Sequence, residues 1–240
     1  METLFISDLH LSEERPDLLA QFLAFVEGPA RDAAALYILG DLFEYWAGDD
    51  DGDAPLPRQV AQALAAAQGR GLAIHFMAGN RDFLIGPDYA RQAGMTLLPD
   101  PSVVELDGQR LLLLHGDSLC TDDVAYQTYR TQVRNPAYQA QFLAQPLAAR
   151  RAFIEQIRQK SEAAKRDKAE EIMDVNAGAV ADVLRQHDFP ILIHGHTHRP
   201  AHHRLDVDGR TCERWVLSDW RDSAPYLAWT GTGLEYRELR

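Results

Sequence analysis

Short apolar runs that each stop abruptly at polar residues organise this chain. They are Leu4-Phe5-Ile6, Leu36-Tyr37-Ile38-Leu39, Leu72 to Met77, Leu111 to Leu114 and Ile191-Leu192-Ile193. Runs of this length without alternation read as strands buried on both faces. Between the first two lies a helical stripe, Leu18, Leu19, Phe22, Leu23 and Val26, entered through Pro16, a residue suited to a first helical turn. An alanine-rich helix is expected from about Pro57 to Gln68. Strands alternating with helices imply βαβ units and a largely parallel sheet. Ligands of such sheets gather at the carboxyl ends of the strands, so the polar residues after each run should share one surface.

Residues 121–187 break this rhythm. The stretch is polar-helical, with interruptions expected at Asn135-Pro136 and Gln145-Pro146, and it is too long for a simple crossover. It is expected to be a helical insertion, or lid, within one domain spanning 1–240. The tail carries β-like runs around Trp215-Val216-Leu217 and from Tyr226 to Trp229, which predict a second, more antiparallel sheet.

Composition refines the picture. The 240 residues are 46% hydrophobic and 25% charged, enough for a substantial core. A net charge of −12 argues against a nucleic-acid partner, because counterion release needs a basic surface, but bound divalent ions can reverse the sign of a site. Cys120 and Cys212 lack any paired-cysteine spacing and read as free thiols of a reduced compartment. No apolar run approaches a membrane span, and the start METLFISDLHL is not a signal peptide. A cytoplasmic protein with a membrane-facing surface is expected.

Five strand ends carry the chemistry: Asp8-Leu9-His10, Gly40-Asp41, Gly79-Asn80-Arg81-Asp82, His115-Gly116-Asp117 and His194-Gly195-His196-Thr197-His198. Oxygen and imidazole donors suit manganese, iron or zinc better than thiolate-selecting sites. Alternation in an extended segment places Asp8 with His10, and His196 with His198, on one side.

In this order the motifs resemble the metallophosphoesterase signature DxH, GD, GN, a lone histidine and GHTH. The resemblance implies that one metal takes Asp8, His10, Asp41 and His198, and a second takes Asp41, Asn80, His115 and His196, with Asp41 bridging. The third motif departs from the commoner GNHD, having Arg81 where a histidine often meets the leaving oxygen. Arginine is a permanent cation with a planar fork of donors. It would stabilise charge without delivering a proton, which suits a leaving group that is itself a phosphate.

Gly-Asp-Leu-Phe-Glu-Tyr-Trp (40–46), Gly-Asn-Arg-Asp-Phe-Leu (79–84), His-Gly-Asp-Ser-Leu-Cys-Thr-Asp-Asp (115–123), Ile-Met-Asp-Val-Asn (172–176) and Ile-His-Gly-His-Thr-His-Arg-Pro (193–200) are similar to the UDP-2,3-diacylglucosamine pyrophosphatases of lipid A synthesis. That resemblance implies an α/β, four-layer αββα sandwich with two Mn2+ per chain. It implies hydrolysis of a glycolipid nucleotide, UDP-2,3-diacylglucosamine, to UMP and 2,3-diacylglucosamine 1-phosphate, peripherally at the inner face of the cell inner membrane, with no obligate protein partner. The catalytic set would be Asp41, Asn80, Arg81 and His196. Substrate contacts would come from Asn80, Arg81, Asp123, Tyr126, Ser161, Lys165, Lys168 and His196.

Ser161, Lys165 and Lys168 share a helical face within 149–168, where seven basic residues outnumber three acidic ones. The apolar series Phe142, Leu143, Leu147, Phe153, Ile154 and Ile157 admits two readings, packing against the domain or a groove for two acyl chains. Other two-metal phosphodiesterases acting on nucleotides, and a scaffold without catalysis, are the competing functions. The acidic run Asp49 to Asp53 has the wrong glycine position for an EF-hand and is expected to be a solvated turn. His75 is expected to be packed inside its strand.

Overall fold

The computed structural model describes residues 1–166 and 174–239, with side chains outside 159–173. Two mixed sheets lie face to face between helices. The first, in the order β11-β10-β1-β2-β3-β4, contains β1 (Thr3–Ile6), β2 (Ala35–Ile38), β3 (Ala73–Met77), β4 (Thr96–Leu98), β10 (Ala224–Trp229) and β11 (Leu234–Leu239). The second, ordered β5-β6-β7-β9-β8, contains β5 (Ser102–Leu106), β6 (Gln109–Leu114), β7 (Ile191–His194), β8 (Ala201–Val207) and β9 (Arg210–Val216). The runs β1 to β4 are parallel, as are β6, β7 and β9.

Side-chain parity builds the layers. Even-numbered Leu4, Ile6, Leu36, Ile38, Ile74 and Phe76 face one way and pack with Leu18, Phe22 and Phe25 of α1 (Pro16–Glu27) and Val60 and Leu64 of α2 (Pro55–Gly69). Odd-numbered Phe5, Tyr37, Leu39 and Met77 face the other way and meet Leu111, Leu113 and Ile193 between the sheets. On the far side of the second sheet, Leu112, Leu114 and Leu192 pack against Val180 and Leu184 of α7 (Ala177–Gln186). Strand period 2 thus supplies each sheet with two apolar faces, and the result is the expected αββα sandwich.

The tail differs from the expected separate sheet. Its strands divide, β8 and β9 extending the second sheet and β10 and β11 pairing antiparallel with β1 in the first. Local pattern marks strands but not the edge they join; that choice follows from which edge still has unpaired backbone groups. The short α3 (Pro87–Ala93), β4 and β5 also form where the pattern carried no clear period.

Between β6 and α7 the chain forms α4 (Val124–Val133), α5 (Pro136–Leu143) and α6 (Leu147–Arg166). Asn135 caps α5 by accepting from Ala137 N and Tyr138 N, placing the break at Asn135-Pro136. These helices are bolted to the strand-end loops. Buried Asp117 accepts from Tyr126 Oη at 2.7 Å and Arg130 Nε at 2.9 Å, and Arg134 donates to Gly79 O at 2.8 Å.

The acidic run is not a solvated turn. Asp49 accepts from the backbone of Gly86, Asp88 and Tyr89 at the start of α3, and Asp50 and Asp51 pair with Arg150 and Arg151 of α6. Arg150 is buried and also donates to Ala47 O, so much of the basic excess on α6 is spent on anchoring.

His75 stacks on Tyr37 at 4.6 Å between centroids, and burial lowers its pKa below 6.5. The unfolded chain therefore binds the proton more readily, and the contribution of this residue to stability is lost as pH falls below 6.5. His75→Phe is expected to flatten the fall in urea midpoint between pH 7 and pH 5; an unchanged slope would show that His75 is not one of the acid-sensitive groups.

Candidate metal centre

Each strand end turns sharply, and the turns share an unusual backbone state. Asp8, His10, Asp41, His196 and His198 all have positive φ, between 50° and 68°. Such residues cost on the order of 1–3 kcal/mol each and persist where the surroundings over-determine them. Here the loops brace one another: Asp8 N donates to Gly40 O and His10 N to Asp41 O, both at 3.0 Å, and Gly195 N donates to His115 O at 2.8 Å. Gly79 and Gly195 permit the closest approaches, because a Cβ at Gly79 would strike the Asp41 carboxylate and one at Gly195 would strike Ser7 and Asp8.

The seven predicted ligands converge. His198 Nε2 lies 3.4 Å from Asp8 Oδ1 and 3.4 Å from His10 Nε2. His10 Nε2 is 3.9 Å from Asp41 Oδ2, while His115 Nε2 is 3.7 Å from Asp41 Oδ1 and 3.0 Å from Asn80 Oδ1. The His196 ring stands 5.1 Å from that of His115. Asp41 therefore presents one oxygen to each histidine neighbourhood. Among the described residues, two compact groups suited to a cation, Asp8-His10-His198 and Asp8-Asp41-His115, overlap at Asp8.

The outer contacts aim the imidazoles. His10 Nδ1 faces Glu44 Oε2 at 3.0 Å, His115 Nδ1 faces Leu39 O at 2.8 Å and His198 Nδ1 faces Asp219 Oδ2 at 3.3 Å. With an acceptor outside each ring, Nε2 faces inward, where a divalent ion would displace its proton. His194 is oriented differently: Arg214 Nη1 donates to its Nε2 at 3.1 Å, and its Nδ1 faces Gly195 O. It is a packed neutral ring and no ligand.

Electrostatics agree with a cation site. Asp8 is fully buried, with Oδ1 lacking a well-formed hydrogen bond. Burial pushes its carboxyl up, but hydrogen bonding to His198 and the charges of His115, His198 and His10 outweigh this and leave it below the usual range. For His115, burial is outweighed by Asp41, Asp117 and Asp8, and its pKa rises to about 9. Asp219 and Asp8 likewise outweigh burial at His198, which also rises to about 9. Burial and His115 pull His196 down to about 4. Carboxylates that draw protons this strongly onto imidazoles create the negative potential that holds a divalent ion, and the donor set of carboxylate, amide and imidazole fits one.

Of the remaining predicted residues, Arg81 borders the lid beside Asn80, and Tyr126 stacks over His196 at 6.0 Å. Asp123 caps α4, accepting from Tyr126 N at 3.1 Å. The side chains of Ser161 and Lys165, and Lys168 altogether, lie outside the described residues. Sequence reasoning missed several supports. Asp82 is buried and accepts from Gly79 N at 2.8 Å, Leu42 N at 2.7 Å and Asp41 N at 3.2 Å, clamping two strand-end loops. Burial, then Asp41, pushes its carboxyl up to about 6. Asp82 and Asp117 stood inside quoted motifs, where a carboxylate just past a strand end was the available signal; Asp219, far away in the tail, had none.

A cleft with a cavity of about 80 Å³ lies between the strand-end loops and helices α4 to α6. Asn80, Arg81, Glu44 and Arg158 form its polar end, and Phe83, Phe142, Phe153, Ile154 and Ile157 are among its apolar walls. Phe142 and Ile154 also pack on the main core, whereas Phe153 stays 42% exposed. Apolar residues of α5 and α6 thus both pack and line a groove.

Comparison with known proteins agrees with this geometry. The calcineurin-like phosphoesterase family model matches residues 1–200. The chain is 59% identical to a UDP-2,3-diacylglucosamine hydrolase of Aromatoleum aromaticum, over 97% of this chain and 95% of that one. It is 52% identical to the protein of that name from Cellvibrio japonicus, over 99% and 98%. A dimetal phosphatase from Danio rerio shares the fold at a TM-score of 0.52 and 13% identity, covering 95% of this chain and 91% of that one. The chain belongs to the calcineurin-like phosphoesterase family, in the group that contains the UDP-2,3-diacylglucosamine hydrolases.

Proposed function

We propose that this protein hydrolyses the diphosphate of UDP-2,3-diacylglucosamine, giving UMP and 2,3-diacylglucosamine 1-phosphate, a step of lipid A biosynthesis. The observation that carries the reading is the cleft whose polar end, Asn80 and Arg81, adjoins the ligand cluster and whose walls are apolar. A diphosphate joined to two acyl chains needs that combination. The family implies divalent metal ions. In our reading two Mn2+ are held, one by Asp8, His10, Asp41 and His198 and the other by Asp41, Asn80, His115 and His196. When bound, such ions neutralise phosphoryl charge and lower the pKa of water.

The chain's own residues do the rest. Asp41 would be held in common by both sites, and Asn80 and His196 would line the reacting centre. Arg81 offers its fixed cation to a phosphate oxygen, and Tyr126 closes the wall above His196. Arg158 also lines the cleft, and its buried Nε has no hydrogen-bond partner among the described residues. Asp123, Ser161, Lys165 and Lys168 complete the proposed substrate contacts. Residues 1–240 form one domain in this reading, with α4 to α6 of the 121–187 stretch inserted as the lid and its last helix, α7, belonging to the sandwich. Among the described residues no helix is long and apolar enough to cross a membrane. Val124, Leu143 and Phe153 are exposed on the lid helices, which supports contact with the cytoplasmic face of the inner membrane.

The test is UMP release from UDP-2,3-diacylglucosamine by chelator-stripped protein with and without Mn2+. Manganese-dependent release supports the reading, whereas turnover of simple nucleotide phosphodiesters alone would replace it with the broader phosphodiesterase activity. Arg81→His is expected to lower kcat for the diphosphate about 10- to 100-fold, since a single neutral donor replaces a charged fork. Wild-type turnover in that variant would show that Arg81 does not stabilise charge.

A further inference from the structure

Glu44 stands where three basic groups from three parts of the chain converge. Its Oε2 is 3.0 Å from His10 Nδ1 in the loop after β1. Its Oε1 is 3.4 Å from Arg81 Nη1 in the loop after β3 and 3.4 Å from Arg158 Nη2 on α6. All four side chains are less than a fifth exposed. Arg158 is itself located by its guanidinium lying over the Tyr45 ring, 5.5 Å from the centroid. A chain of close ionic contacts therefore runs from α6, through one carboxylate, to the outer nitrogen of an imidazole whose inner nitrogen faces Asp41 and His198.

We infer that Glu44 is a positioning residue that couples the lid to the metal centre: Arg158 fixes the Glu44 carboxylate, and that carboxylate fixes the orientation of His10. The inference rests on the proposal that His10 is a metal ligand. It has a consequence opposite in sign to simple electrostatics. Removing a nearby cation should by charge alone strengthen the binding of another cation. If Arg158 acts through Glu44, its removal frees the carboxylate, loosens the imidazole and weakens divalent binding. Linkage makes the effect reciprocal, so metal binding should in turn favour the lid contact.

The experiment is titration of chelator-stripped protein with Mn2+ by calorimetry, for the unsubstituted chain, Glu44→Gln, Arg158→Met and the double variant, with unfolding midpoints measured alongside. Glu44→Gln is expected to weaken Mn2+ binding about 10- to 100-fold, the usual effect of losing a carboxylate behind a histidine ligand. Arg158→Met should weaken it about threefold or more in the unsubstituted background. It should have no further effect in the Glu44→Gln background, and Arg158→Lys should recover part of the loss. Unchanged or tighter Mn2+ binding in Arg158→Met, or equal weakening in both backgrounds, would overturn the coupling. Should Arg158→Met unfold, Arg158→Gln is read by the same criteria. Absence of Mn2+ binding by the unsubstituted chain would instead overturn the metal centre, and the coupling with it.

Discussion

Asp41→Ala is expected to abolish UMP release, lowering kcat by about a thousandfold or more, and to reduce the Mn2+ bound per chain. The size follows from position. One carboxylate oxygen lies 3.9 Å from His10 Nε2 and the other 3.7 Å from His115 Nε2, so its removal affects both neighbourhoods together. Metal-derived charge stabilisation is worth several kcal/mol, and each 1.36 kcal/mol is a factor of ten in rate, about a thousandfold in all. The same side chain accepts from Arg81 N at 2.8 Å, so the variant also loosens the loop bearing Asn80 and Arg81. Asp41→Asn, which keeps the volume, separates the two effects: it should still fail in catalysis while keeping the unfolding midpoint closer to that of the parent. More than a tenth of parental activity in Asp41→Ala, with full Mn2+ stoichiometry, would refute Asp41 as the shared ligand.

Removal of both acyl chains from the substrate is expected to raise KM about 100-fold or more. Burying one methylene is worth about 0.8 kcal/mol, so even four methylenes in the cleft contribute roughly 3 kcal/mol, about a 200-fold change in affinity. Phe153 and Ile157 line this cleft from α6. Ile157→Asp places a charge there and should raise KM for the acylated substrate about as much as deacylation does, while leaving the weak binding of the deacylated analogue nearly unchanged. Equal KM values for acylated and deacylated substrates would mean that the lid's apolar residues serve packing alone, as Phe142 and Ile154 partly do.

The sequence by itself determined the layers and where the candidate ligands gather. Parity in the runs around Phe5, Tyr37, Leu112 and Ile193 sorts side chains onto opposite faces, because strand period 2 is a local property of the chain. The convergence of the candidate residues was legible for a related reason: a parallel strand delivers its next residues to one known edge of the sheet, so Asp8, Asp41, Asn80 and His115 gather there. The tertiary structure decided what depends on the far neighbours of each residue. No local signal sends β10 to β1 and β9 to β7. None joins Asp219 to His198 across the molecule, or turns Asp49, Asp50 and Asp51 from an apparent surface turn into the anchor of α3 and α6. Glu44 shows the limit most clearly. Its identity and motif were visible, but a carboxylate's role is set by which cations it meets, and His10, Arg81 and Arg158 meet there only once the loops after β1 and β3 and helix α6 have folded against one another.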